Sequence, residues 1–342
     1  MEFIKLKSLL DKNAGLLYGK VVCIVSENGE RIFAHNINCG MDSVFDLASV
    51  TKTLTGTMIF KLIGEGRLAL NQTLDDIFKS APLGSITKER FKNITLQRLL
   101  THSSGLPAWF PFYTKKGSFW EVLEFLLNKF PSQEGTAYSD PNFMLLGEVI
   151  SAASSLTLIN NLDILNTELE TSFTYNPCNP EQCVETERGN RIEEAMCAER
   201  GLSFDGFRDT SKNMQGQVND GNAFYFWKGV AGHAGIFGTA ADLIKLARLY
   251  ENHGKVNGKE LIPSWLVEIA AEDHGGGRGL MWAVGDIFIG GFGHTGFTGT
   301  SLYICPEKSA AAVILTNRQV IEPAPDLRNF RIKAHEIIYG RE

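Results

Sequence analysis

The stretch FDLASVTKTLTG, residues 45–56, places Ser49 three residues ahead of Lys52. Residues i and i+3 share a helix face, so a helix starting at the serine leans Lys52 back towards the Ser49 hydroxyl. A hydroxyl is a weak nucleophile near neutral pH and needs a base within hydrogen-bond reach. Apolar residues at 50, 54, 58, 59, 62 and 63 recur at helical spacing, and Gly64 and Gly66 mark the helix end. Burial behind that apolar run predicts a lowered lysine pKa, as a base requires. A helix N-terminus also sets unsatisfied N–H groups and the helix dipole beside a developing oxyanion. The same string equally suits a plain serine N-cap with a solvated lysine.

Context separates this string from a second one, Ser85-Ile86-Thr87-Lys88. Glu89, Arg90 and Phe91 follow it, with no apolar helix to desolvate the lysine, so it reads as a polar surface turn. Two further strings carry candidate chemistry. In EGTAYSDPNFMLLG, Tyr138 precedes an Asp140-Pro141 pair that reads as an N-cap followed by proline at the first helical position. A tyrosine there projects its phenol into a cleft, where cations stabilise a phenolate proton shuttle. In GGFGHTGFTGTSLYIC, His294-Thr295-Gly296 reads as an edge strand entering a turn, open to a substrate backbone and able to offer oxyanion donors. Taken singly, each string also suits plain packing. A fourth string, GVAGHAGIFGTAADL, reads as a tight loop in which His233 is a hydrogen-bonded structural histidine.

The chain of 342 residues is 44% hydrophobic and 21% charged, enough to bury a sizeable core and outside the disordered range. A net charge of −6 disfavours nucleic acid or an anionic membrane as the main partner. Glu2, Lys5, Lys7, Asp11 and Lys12 interrupt the apolar N-terminal residues, which predicts an amphipathic helix rather than a signal peptide and a cytoplasmic location. No stretch is long and apolar enough to span a bilayer. Of the six cysteines, Cys178, Cys183 and Cys197 cluster without the tight C-x-x-C pairs of structural zinc, so free thiols and no metal are expected.

Asn28-Gly29 between VVCIVS and RIFAH predicts a hairpin. Thr95–Leu100, a capped helix from Ser118, a helix after Asp140 and another after Thr239 make the middle helical, whereas 156–230 reads as irregular surface chain. GLMWAV, DIFIGG, SLYIC and AAAVILTN return to strands, and a last helix starts near Asp326. Short strand connections imply an antiparallel sheet. The expected fold class is therefore α+β: an antiparallel sheet, flanked by N- and C-terminal helices, from residues 1–64 and 240–342, and a mostly helical insert over 65–239. The active site is expected in the cleft between them.

In this order the strings resemble the serine β-lactamase and penicillin-binding-protein superfamily, and most closely its class C β-lactamase, DD-peptidase and esterase branch. That branch carries S-x-x-K, then Y-x-N, then K-T-G or H-T-G; LLTHSSGLP (99–107) and YSDPNFMLLGE (138–148) extend the likeness, which runs from about 20 to about 320. The resemblance implies Ser49 as acylated nucleophile, Lys52 as general base or relay, and Tyr138 as activator of water and proton donor to the leaving group. It implies a substrate-facing strand at His294, Thr295, Gly296 and Phe297, with the N–H groups of Ser49 and Phe297 as oxyanion hole. No cofactor is implied. Two positions depart from the pattern. Asp140 replaces the motif asparagine, and an ionised aspartate cannot donate to a substrate carbonyl; it can accept from Lys52 or bind a substrate ammonium. His294 stands where many members have lysine; histidine is neutral over much of the physiological range, so binding of a carboxylate is expected to weaken as pH rises through its titration.

The expected function is a serine hydrolase acting through an acyl-enzyme on a small ester, amide or β-lactam. The alternatives are a carboxylesterase or D-amino-acid peptidase with little β-lactamase activity, and a non-catalytic penicillin-binding-like protein. A metal-dependent hydrolase lacks any H-x-H or H-x-x-x-H string. The expected partner is a small acyl molecule, with no nucleic acid and no membrane; nothing in the sequence sets an oligomeric state.

Overall fold

The alternating strand Val21–Glu27 organises the protein. In the computed structural model, which describes residues 2–340, Val22 and Ile24 enter one apolar cluster while Val21, Cys23 and Val25 enter another on the opposite sheet face. Both faces are thus buried, as a central strand requires. Met1, Arg341 and Glu342, the outer ends of the expected sheet unit, lie outside the described residues.

Six strands form the main sheet: β1 Val21–Glu27, β2 Glu30–Ile37, β3 Ala283–Gly285, β4 Phe288–Thr295, β5 Ser301–Cys305 and β6 Ala310–Thr316. Their spatial order is β2-β1-β6-β5-β4-β3, with every pairing antiparallel. The Asn28-Gly29 hairpin forms as expected, both residues at positive φ. Sheet strands from both ends of the chain meet where Val21 pairs with Thr316. Helices Glu2–Asn13 and Arg328–Tyr339 cover one face, with Leu6, Leu10, Phe330 and Ala334 packed inward. Helix Ala240–Glu251 covers the other, opened by the Thr239–Asp242 capping box.

Helix Thr51–Gly64 is buried over most of its length. All of its residues from Thr51 to Phe60 are buried, so it lacks a solvent face. Its polar residues satisfy themselves: Thr55 donates to the Gly232 carbonyl at 2.7 Å, and Thr57 Oγ1 lies 2.6 Å from the Tyr250 hydroxyl. Helix Asp140–Ser154 packs on it.

Two sequence expectations change here. Residues 85–91 form a helix rather than a turn, because Glu124 accepts the N–H groups of Ile86 and Thr87. Ser85 and Lys88 are exposed, so that S-x-x-K has no desolvated lysine. Residues 156–230 are not merely surface chain. They hold a helix Leu158–Leu169 with Leu158, Leu162, Leu165 and Leu169 buried, and a helix Arg191–Glu199 beside several buried carboxyl groups. No single helix among the described residues is long and apolar enough to cross a membrane.

Candidate active site

Ser49 sits within a 3₁₀ turn, Ala48–Val50, that runs straight into helix Thr51–Gly64. It is therefore not the helix cap that one reading of the string allowed. Asp46 serves the turn instead, accepting the Ala48 N–H at 2.8 Å. Ala48 has φ +47°, a conformation alanine adopts only when its surroundings impose it. The Ser49 hydroxyl is left available, and Lys52 Nζ donates to its Oγ at 3.0 Å.

Lys52 is fully buried. Its ammonium also donates to the His233 carbonyl at 2.9 Å and pairs with Asp140 Oδ1 at 2.8 Å. The expected lowering of its pKa is not found. Burial does push it down, but the charges of Asp140 and Tyr138 outweigh burial and lift it to about 12. The sequence argument counted the apolar run and missed the carboxylate. At rest Lys52 is a cation, not a free base.

Tyr138 faces both partners, and Lys52 Nζ lies 5.1 Å from the centre of its ring. Burial raises the phenol's pKa and the Asp140 charge adds to this, while Lys52 and Ser49, acting on the hydroxyl as hydrogen-bonding neighbours, work the other way. Its ring stacks beside His102 at 4.5 Å and lies 5.1 Å from the Arg278 guanidinium. The helix behind it starts one residue earlier than expected: Ser139 holds the cap position, with Asp140 and Pro141 in the first turn. Ser139 does not cap with its side chain, which donates to the Pro107 carbonyl at 2.8 Å.

Strand β4 is the second strand from its end of the sheet, not the edge. However, β3 stops at the Ala283–Gly293 pair, so His294 and Thr295 are paired only towards β5. The expected open edge thus exists over the motif. Past it, Thr298 donates to the Asp46 carbonyl at 2.8 Å and Thr300 to the Leu47 carbonyl at 2.9 Å. These bonds tie the turn carrying Phe297 to the turn carrying Ser49. A Cβ on Gly296 would come within 2.6 Å of the Leu47 carbonyl, so this approach needs glycine. His294 differs from expectation. Burial, with Lys52 and Arg278 nearby, drives its pKa down to about 3, so it does not titrate near neutrality. Its Nδ1 lies 2.8 Å from the Thr295 carbonyl, which makes Nδ1 the donor and leaves Nε2 as a buried acceptor.

Ser49, Tyr138 and Phe297 line two cavities at once. The larger, about 480 Å³, adds Arg278, His294, Thr295, Gly296, Arg318 and Arg331. The smaller, about 160 Å³, adds Trp109, Asp140, Glu187, Glu193, Asn219 and Asp220. Asp140 was singled out in the sequence; the arginines and Glu187, Glu193 and Asp220 were missed because each is isolated there, without a motif around it. His233 is hydrogen-bonded as expected, its Nε2 lying 2.9 Å from Asp220. Its backbone carbonyl, which no motif reading could assign, holds Lys52. Among the described residues no group of three or more His, Cys, Asp or Glu is arranged to hold a metal ion. Cys197 is buried against the Tyr113 hydroxyl at 3.4 Å, while Cys178 is exposed.

A serine, a buried lysine and a tyrosine in mutual contact at the end of an antiparallel sheet define a serine hydrolase of the β-lactamase, DD-peptidase and esterase type. The chain belongs to the Beta-lactamase family, whose model matches residues 18–336. It is 31% identical over 318 residues to an N-acetylmuramyl-L-alanine amidase of Bacillus subtilis, a match covering 82% of this chain and 70% of that protein. Solved structures share the fold, among them two from Caulobacter crescentus and Rhodobacter sphaeroides. A penicillin-binding protein homologue from Caulobacter crescentus superposes with a TM-score of 0.73 at 18% identity, over 100% of this chain and 98% of that one. A class C β-lactamase from Rhodobacter sphaeroides gives 0.72 at 16% identity, over 98% and 99%.

Proposed function

We propose that the protein hydrolyses small carboxylate-bearing amides or esters through an acyl-enzyme on Ser49. The observation that carries this is the meeting of Ser49 Oγ, Lys52 Nζ and the Tyr138 hydroxyl at the floor of a cleft walled by Arg278 and Arg331. Lys52, held cationic by Asp140, acts on Tyr138 rather than directly on the serine. In the minor form in which the Tyr138 phenol has given its proton to bulk water, Lys52 stabilises the phenolate, which takes the Ser49 proton as Oγ attacks the carbonyl carbon. The Ser49 and Phe297 N–H groups receive the oxyanion. The phenol then returns the proton to the leaving nitrogen or oxygen, and a water activated by Tyr138 releases the acyl group.

The arginine side of the cleft supports a carboxylate on the substrate. Arg331 uses Nη2 on the Thr300 carbonyl at 3.1 Å, while its buried Nε has no partner among the described residues. Neutral His294 offers an acceptor and adds no charge. Asp140, ionised against Lys52, cannot donate to the side-chain carbonyl of a β-lactam or acyl-D-alanyl substrate, which favours other amides and esters over β-lactams.

Intact mass after treatment with a fluorophosphonate, and separately with a penicillin, tests the reading. A single fluorophosphonate adduct in the wild type and none in Ser49→Ala is expected, with little penicillin turnover. Folded wild type that forms no adduct would overturn it.

A further inference from the structure

The smaller cavity beside Ser49 is an acid pocket that includes one buried carboxyl oxygen with neither a hydrogen-bond nor an ion-pair partner among the described residues. Glu187, at 1% exposure, is satisfied: its Oε1 accepts from Asn219 Nδ2 at 2.9 Å and its Oε2 from the Ile192 N–H at 3.0 Å. Asp220 Oδ1 takes both His233 at 2.9 Å and the Ala223 N–H at 2.7 Å, and this side chain remains 21% exposed. Asp140 has Lys52. Glu193 is different. It is 7% exposed, and its Oε2 accepts from the Gly221 N–H at 2.7 Å and Asn190 Nδ2 at 3.3 Å. Its Oε1 is buried and has no partner among the described residues. The nearby guanidinium of Arg208 is spent on Asn190 Oδ1 and on the carbonyls of Val218 and Asn219.

A buried carboxyl oxygen with no donor costs stability unless something answers it. Trp109, Met196 and Ala234 complete the pocket and supply no cation. Burial and the charges of Asp220 and Glu187 hold the Glu193 carboxyl well above the usual range, which is the response of a site short of positive charge. An ammonium meets each need at once: it donates to Oε1 and offsets the acids.

The two cavities also differ in what they can keep. The leaving group must depart, and the 480 Å³ arginine side is the roomier exit. The acyl group stays bonded to Ser49 until water arrives, and the acid side, about 160 Å³, is the tighter of the two. That suits a small aminoacyl group.

We propose that the acyl portion of the substrate carries a free ammonium group, received by Glu193 in the pocket walled by Trp109 and Met196. Resting on the acyl-enzyme reading above, this makes the preferred substrate zwitterionic: an aminoacyl unit on the acid side joined to a carboxylate-bearing leaving group on the arginine side.

The test compares alanyl p-nitroanilide, in D and L forms, with its des-amino isostere propionyl p-nitroanilide and with N-acetylalanyl p-nitroanilide. Wild type should favour one free-amine enantiomer by at least about tenfold in kcat/KM over both comparators. Glu193→Gln, which keeps the Oε2-type acceptor for Gly221, should narrow that ratio by about tenfold. A wild type without preference for the amine overturns the proposal without needing the variant. A preference that survives in folded Glu193→Gln overturns the assignment to Glu193. Both failures are distinct from failure of the acyl-enzyme reading, in which no substrate turns over and no fluorophosphonate adduct forms; the proposal then falls with it.

Discussion

Lys52 Nζ lies 2.8 Å from Asp140 Oδ1, and the lysine side chain of this pair is wholly removed from water. The pair sets the charge state of the cluster formed by Ser49, Lys52 and Tyr138. Asp140 raises both the lysine and the Tyr138 phenol, so removing its charge lowers both. Asp140→Asn is therefore expected to move the acid limb of the kcat/KM–pH profile to lower pH by about one to two units, the usual effect of one close charge. The profile is measured on a nitrophenyl ester. An unmoved acid limb, or one moved to higher pH, would show that the Asp140 charge does not govern the proton shuttle.

The contrast between Asp140 and Ser49 shows what was legible beforehand. Ser49, Lys52, Tyr138 and His294 stand in strings whose local grammar of turn, cap and period survives in the fold, and the structure brings all four together. The hairpin at Asn28-Gly29 and the capped helices at Ser118 and Thr239 were legible for the same local reason. Charge states were not. The pKa of Lys52 depends on a carboxylate 88 positions away in sequence, and that of His294 on how deeply β4 is buried. The acid pocket was equally hidden, because Glu187, Glu193 and Asp220 sit in a stretch without periodicity and converge only through long-range bonds such as Asn219 N–H to Asp46.

Arg331 should set the preference for a carboxylate. Hydrogen bonds to a charged group contribute about 1.5–3 kcal/mol. In Arg331→Gln, the kcat/KM ratio between a carboxylate-bearing substrate and its methyl ester should fall by about tenfold or more. Because His294 is neutral well below neutrality, the wild-type ratio should stay level through the ordinary histidine range. Steady-state kinetics from about pH 5 to about pH 9 checks both statements. A ratio that falls through that range would return the anchoring role to His294.

His335 makes a separate prediction about stability. It is fully buried, its ring stacks 4.3 Å from Tyr303, and its Nδ1 lies 2.6 Å from the Ile287 carbonyl. Burial, with Arg331 nearby, drives its pKa from 6.5 down to about 4. The sign follows from linkage: the unfolded chain takes up a proton below about pH 6.5 that the folded chain refuses until about pH 4. This contribution is complete above the unfolded pKa and is lost as pH falls towards the folded one. His335→Gln cannot titrate, so the stability gap between wild type and variant should narrow by about 2–3 kcal/mol between about pH 7 and about pH 4.5. Urea unfolding at the two pH values measures it. A gap that stays constant would mean that His335 takes up its proton in the folded state at an ordinary pH.

Gly232 couples the loop to Lys52. Its carbonyl accepts from Thr55, and the next carbonyl, of His233, accepts from Lys52. On its other side it touches helix Asp140–Ser154, where a Cβ would lie 2.2 Å from the Phe143 carbonyl and 2.9 Å from Gly147 Cα. Those neighbours are backbone and cannot turn aside as a flexible side chain would. Gly232→Ala must therefore push the loop away from the helix, separating His233 and Asp140, which hold Lys52 from two directions. Overpacking of this kind costs about 1–3 kcal/mol. The variant should melt at a lower temperature and, in the folded fraction, lose kcat more than it raises KM, because the displaced group is the cation behind Tyr138 rather than a wall of the cleft. Unchanged melting and unchanged kcat would show that the loop and helix can separate without disturbing Lys52.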